Sequence, residues 1–192
     1  QVKMFREAAL GLADAAKERR DNMQEKIARV VEIINRPENK DDHFLLWHDL
    51  EAEREALCKA IPGCKAVYGS QDDEEADRVI ADFKDGRLKY LAAKPEMLGE
   101  GLNFQYHCHK AIMFIDYRFN DKFQAIARIY RFMQQHPVDL YLVYAESEGE
   151  IYKSFMQKWA QHRQMVAKMT DIVRENGLFG LQAEEKMMRW MF

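Results

Sequence analysis

The 192-residue sequence predicts an α/β fold of three layers, in which a parallel sheet is covered by helices on both faces. Two observations carry this. Short, continuous apolar runs recur along the chain, such as HFLLW at 43–47 and AIMFI at 111–115. Between them lie amphipathic stretches of about 12 residues, the length of an ordinary helix. Strands that are apolar without alternation are strands buried on both sides.

The elements follow in order. Residues 4–35 contain no proline and only Gly11, with Ile27, Val30, Val31 and Ile34 at helical spacing, and read as one long helix or two. The polar stretch 36–42, with Pro37, ends it. A strand at 43–47 leads to a helix at 49–60 with Asp49 as its N-cap. A strand at 66–68 precedes Gly69, a helix covers 72–84, and the turn Asp85-Gly86 introduces a strand at 88–92. A strand at 111–115, a helix at 122–133, a strand at 138–144 and a helical stretch from 148 to about 176 complete the pattern. The organisation expected is a helical extension over 1–40, a lobe over 41–155 and C-terminal helices over 156–192. Met187, Met188, Trp190, Met191 and Phe192 are too apolar for a free tail, and are expected to pack on something or lead into a further domain.

Composition narrows the function. No uninterrupted apolar run approaches the ~20 residues needed to cross a bilayer. The chain starts at Gln1 without a secretory apolar region and is expected to be a piece of something longer. A net charge of −3 and a pI near 6.1 argue against a generally basic nucleic-acid coat protein, so any nucleic-acid contact is expected to be a local groove. Cys58, Cys64 and Cys108 contain no CxxC pair and fit a reducing cytoplasm better than a disulfide framework. His107-Cys108-His109 offers metal-capable atoms, but alternating neighbours on an extended segment point apart, and no metal is expected.

Two segments carry chemistry. In QAIARIYRFMQ (124–134), a helix at about 100° per residue would bring Gln124, Arg128 and Arg131 within roughly 60° of one another, with Ala125, Ile129 and Phe132 as an apolar back. Two fixed guanidiniums facing one way suit a phosphate. The same pattern equally describes a solvated arginine face. The second segment is GEGLNFQ (99–105), whose Gly99 and Gly101 would let backbone approach phosphate or ribose closely. In a parallel sheet ligands gather at the carboxyl ends of strands, after Trp47, Tyr68, Ala92 and Ile115. His48, directly after the first strand, reads as a core or turn histidine.

Taken in order, VYGSQDDEEADRVIADFKDG (67–86), GEGLNFQ and FIDYRFNDKFQAIARIYRFMQ (114–134) followed by HPVDLYLV (136–143) resemble the second RecA-like lobe of a superfamily-two helicase, most closely the Swi/Snf-like branch. The resemblance covers roughly residues 43–155. GSQ resembles motif IVa, GEGLNFQ motif V, and the 124–134 segment motif VI. The resemblance implies ATP with Mg²⁺ bound between two lobes, with a first lobe absent from this chain. It implies that Arg131 is the arginine finger, Arg128 its partner and Gln124 a phosphate or water contact. Gly99, Gly101 and Asn103 would face nucleotide, and Gly69, Ser70 and Lys94 the DNA backbone. WHDLEAE (47–53) and QAIARIYRFMQ are also similar to a bacterial and phage subgroup in which the helicase is joined to, or encoded with, a DNA methyltransferase.

The sequence departs from the pattern in four places. Ala127 and Met133 stand where the family has glycines, Glu96 lies where Ser or Thr often bonds DNA, and Asp121 replaces a proline and reads as a helix N-cap. No G-K-[ST] follows a glycine-rich turn, and the acidic run 72–75 reads as the first turn of a helix, so the isolated chain is not expected to hydrolyse ATP. The other reading is a degenerate lobe that serves as an interaction module in a DNA modification or restriction assembly.

Overall fold

The computed structural model describes residues 22–98, 102–131 and 133–175. Helix α1 (Met23–Ile34) precedes strand β1 (His43–Trp47), α2 (Glu51–Ala60), β2 (Lys65–Val67), α3 (Asp73–Lys84) and β3 (Tyr90–Ala93). Then come β4 (Cys108–Phe114), α4 (Phe119–Ile126), β5 (Asp139–Val143) and α5 (Gly149–Glu175). The strands form one five-stranded sheet in the order β2-β3-β1-β4-β5, and every neighbouring pair is parallel. All five strands therefore end on the same edge.

The continuous apolar runs are explained by two cores. Phe44 and Leu46 of β1, Ala92 of β3 and Ile112 and Phe114 of β4 pack with Ile27, Val30, Ile33 and Ile34 of α1 and Leu57 of α2. Leu45, Trp47, Leu91, Ala93, Ala111 and Met113 point the other way, onto Phe83 of α3 and Ala125 and Ile126 of α4. The period-two alternation thus feeds both faces, and the expected three layers are present. Four apolar side chains of α1 are buried, each worth about 1.5–3 kcal/mol, so this helix is part of the lobe's core. Its Lys26 is also buried, and bonds Glu148 Oε1 at 3.1 Å, which ties α1 to the turn that opens α5.

Local chemistry sets the helix ends. Asp72 caps α3, accepting from the N–H groups of Glu74 and Glu75 at 3.0 and 3.3 Å. At its other end Gly86 takes a φ of +74°, Gly86 N–H bonds Phe83 O at 3.2 Å, and Arg87 N–H bonds Asp82 O at 2.8 Å, the paired closure of a Schellman turn. A side chain at Gly86 would meet the His107 ring at 2.9 Å, so glycine is required there both for its φ and for space.

Three expectations are corrected. Asp49 does not cap α2. The helix starts after Leu50, and it is Glu53 Oε2 that reaches back, accepting from the N–H groups of Asp49 and Leu50 at 2.9 Å each. The helix expected over 122–133 is Phe119–Ile126: Arg128 N–H and Ile129 N–H bond the carbonyls three residues earlier, and Ala127–Ile129 form a turn. Asp121 is accordingly inside the first turn, where its charge suits the helix dipole, and Arg118 holds the cap position without capping the helix through its side chain. Residues 4–21, Phe132, Asn176 and the apolar residues from Met187 to Phe192 lie outside the described residues.

Candidate functional site

The edge where the strands end gathers two of the segments expected to carry function, those of Gly69 and Lys94. After β2 comes an exposed turn at Gly69 and Ser70, closed by Gln71 N–H to Tyr68 O at 3.1 Å. A Cβ on Gly69 would lie 3.8 Å from the Met97 side chain, so this turn sits beside the 3-10 turn Pro95–Met97 that follows β3. Lys94, at the head of that turn, is ion-paired at 2.8 Å with Glu51 in the first turn of α2. The pairing holds the Glu51 carboxyl below its usual range, chiefly through the Lys94 hydrogen bond. Glu96 is exposed on the same turn.

The two arginines lie past the end of α4, while Gln124 is exposed on the helix itself. The expected shared helical face is therefore replaced by a helix and a turn. Both arginines are half-buried and reach across to the segment after β3. Arg128 Nη2 donates to Leu98 O at 3.1 Å, and Arg128 O accepts from Phe104 N–H at 3.2 Å. Arg131 Nη1 donates to Leu102 O at 3.0 Å and to Asn103 Oδ1. Gly99 and Gly101 lie outside the described residues, but the segments on both sides of them are clasped by these two guanidiniums.

Gln134 fixes the far side of the arginine turn. Its Nε2 donates to Cys108 O at 3.0 Å and Ile129 O at 3.1 Å, while its Oε1 accepts from His136 N–H at 3.0 Å. One amide side chain thus ties the turn to the start of β4 and to the approach to β5. Between Arg131 and Gln134, Met133 has a φ of +72°, a conformation suited to glycine. This is one of the two positions where the helicase pattern carries glycine.

A group that sequence reasoning did not single out sits at the switch point between β1 and β4, where the chain turns from building one half of the sheet to the other. Lys122 of α4 is fully buried, and its Nζ lies 2.7 and 2.6 Å from the two carboxylate oxygens of Asp49. Arg118 Nη2 donates to Asp49 at 2.7 Å and Arg118 Nε to Asp116 at 2.8 Å. Asp49 follows β1 and Asp116 follows β4, so the four charges bridge the two strands and seat the start of α4 on them. His48, one residue before Asp49, is completely buried, and neither ring nitrogen has a hydrogen-bond partner among the described residues. Burial pushes its pKa down to about 4, assisted by Lys94 and Arg54 and opposed by Asp49 and Glu51.

No family model matches the chain, and a search of curated proteins gives no match. Solved structures do match. The C-terminal part of the Fun30 ATPase domain superposes with a TM-score of 0.59 at 17% identity, over 67% of this chain and 44% of that one. The C-terminal domain of a Saccharomyces cerevisiae Dbp5 variant, solved bound to Gle1 and IP6, gives 0.59 at 14% identity, over 72% of this chain and 80% of that one. A longer Dbp5 chain gives 0.58 at 16%, over 73% of this chain and 38% of that one. The chain thus spans less than half the length of the Fun30 chain it matches. At these identities the likeness is one of architecture, and the chain has a RecA-like fold similar to the C-terminal portions of those proteins.

Proposed function

We propose that this chain is the second motor lobe of an ATP-dependent DNA helicase or translocase, in which Arg131 is the arginine finger and Arg128 its partner. One observation carries the reading: Arg128 is anchored on Leu98, and Arg131 on Leu102 and Asn103, in the connection that leads from the end of β3 to the start of β4. A guanidinium offers five N–H donors in a planar fork, and the two bonds that Arg131 makes to that segment both use Nη1. The fork is preorganised by the protein and keeps donors for a phosphate.

The residues fit a shared ATP site. Arg131, Arg128, Gln124 and the segment around Asn103 would hold the triphosphate side of ATP with Mg²⁺, and a first lobe would supply the phosphate loop that this sequence lacks. ATP would supply the phosphoryl group whose transfer drives the motor. Charge spreading over that group in a loose transition state is met by arginine across a cleft, an effect worth about 10³ to 10⁵ in rate, or roughly 4–7 kcal/mol. Gly69, Ser70 and Lys94 would meet the DNA backbone; such contacts set position without reading sequence. Lys94 would have to exchange Glu51 for phosphate. The Swi/Snf-like branch, a DNA methyltransferase partner and a cytoplasmic setting rest on motif text and composition alone.

The Lys94–Glu51 pair also favours a second reading, a degenerate lobe kept as an interaction module, because a carboxylate already occupies the cation meant for DNA. One experiment separates the two. With this lobe joined to its native first lobe, DNA should stimulate ATP hydrolysis, and Arg131→Lys should abolish most of it, since lysine has no planar fork. Stimulated turnover that survives Arg131→Lys would refute the finger assignment, and a joined protein inert to ATP would favour the module.

A further inference from the structure

We propose that Cys58 and Cys64 form a peroxide-reactive dithiol, which closes to an intramolecular disulfide at the edge of the sheet. Cys58 lies in the last turns of α2, and Cys64 follows Gly63 just before β2. Their sulfurs are 3.9 Å apart and share a hydrogen bond. They line a cavity of about 400 Å³ together with Arg54, Lys65, Tyr68 and Gln71, open enough to admit a small oxidant. Cys58 is half-buried and Cys64 buried, so one sulfur is accessible and the other waits behind it.

The electrostatics assign the two roles. The Cys64 hydrogen bond lowers the Cys58 pKa to about 7, against the cost of burial, and Arg54 and Lys65 lower it further. The same hydrogen bond and burial push Cys64 up. Cys58 is thus the attacking thiolate. It takes one oxygen from hydrogen peroxide, releasing water after protonation, and becomes a sulfenic acid. The Cys64 sulfur then attacks the Cys58 sulfur, its proton leaves with the hydroxyl as a second water, and the disulfide forms. Two thiols lose two hydrogens, and one peroxide is reduced to two waters. Bond formation requires the sulfurs to close from 3.9 Å to about 2.05 Å. Cys64 sits beside Gly63, whose φ is +79° and where a Cβ would meet open space, so the loop has room for that movement.

Cys108 is an internal control. It is 1% exposed, and burial pushes its pKa up to about 12. The test treats the full chain with hydrogen peroxide, blocks remaining thiols and maps peptides without reduction. The expected result is a crosslink between the peptides carrying Cys58 and Cys64, with Cys108 still alkylated as a thiol. In Cys64→Ser, Cys58 should be trapped as a sulfenic acid by dimedone. In Cys58→Ser, Cys64 should react at least about tenfold more slowly than Cys58 does in the native chain, since it lacks thiolate character. Both thiols remaining free, oxidation of Cys108 as fast as Cys58, or crosslinks only between chains would each overturn the proposal, and the native chain's crosslink decides it even if a variant fails to fold.

Discussion

At the scale of single residues, Met133 and His48 are two positions that break ordinary rules. A left-handed φ costs a non-glycine residue about 1–2 kcal/mol, whereas glycine in exchange adds about 0.5–1 kcal/mol of chain entropy. Met133 is exposed, and its sulfur makes a long contact with the Tyr106 hydroxyl at 3.9 Å. Met133→Gly is therefore expected to stabilise the chain, by up to about 1 kcal/mol, as a higher midpoint in urea unfolding; Met133→Val, with its β-branch, should lower the midpoint. His48 makes a pH prediction. Its pKa is about 4 in the fold and 6.5 in the unfolded chain, so between those values the unfolded state binds more protons. Stability contributed by the neutral imidazole is complete above 6.5 and falls as pH drops towards 4, by about 3 kcal/mol in all. Unfolding midpoints measured at both ends of that window should separate less in His48→Leu than in the native chain. An equal separation would show that the acid sensitivity comes from elsewhere.

At the scale of elements, α4 is where reading and structure diverge most usefully. Its apolar spacing at Ala125, Ile129 and Phe132 fits a helix continued to 133, yet the backbone tightens after Ile126 because the arginines are drawn across to Leu98 and Leu102. That pull comes from residues about 30 positions away and leaves no mark on local periodicity. Lys122 is different. It stands at the i position of an i, i+3, i+4, i+7 stripe with Ala125, Ile126 and Ile129, all buried, so a lysine on the core side of a helix was visible in the sequence. What was not visible was its partner, because Asp49 before a helix resembles a cap. The β1 strand, by contrast, was readable as an unbroken apolar run, whereas β4 begins at Cys108, three residues before the run expected at 111–115; α3 was readable from Asp72 to its Asp85-Gly86 stop. Lys122→Met removes the buried ammonium that meets both oxygens of the buried Asp49 carboxylate, and is expected to cost about 3–5 kcal/mol. Asp49→Leu combined with Lys122→Met should recover much of that loss. A double-mutant cycle by chemical denaturation that finds the two changes additive would contradict a direct coupling.

At the scale of the whole molecule, the lobe is a sheet clamped between two cores, and α1 contributes to one of them. Removing residues 1–35 would expose the sheet face that Ile27, Val30, Ile33 and Ile34 cover. At about 1.5–3 kcal/mol for each side chain, the loss rivals the ~5–15 kcal/mol that holds a domain folded. The truncated chain is expected to lose cooperative thermal unfolding and to bind a hydrophobic dye, and a sharp transition near the native midpoint would count against this. The strand-end edge holds the rest of the molecule's logic. The switch point is filled by the Asp49–Lys122–Arg118–Asp116 group, with the Gly69 and Lys94 turns beside it on the same edge.

The contact between Lys26 and Glu148 has a consequence for where the chain enters and leaves the lobe. Asn22 Nδ2 also bonds Ser147 Oγ at 3.2 Å, so the chain enters α1 and leaves for α5 at one corner, although more than 120 residues separate the two points. Everything from β1 to β5 is then a closed excursion from that corner, while α5 runs on for 27 residues, about 40 Å of helix. The two ends of the β1–β5 unit thus meet at one corner, and α5 leaves from it with Ile151, Phe155 and Trp159 packed back on the lobe.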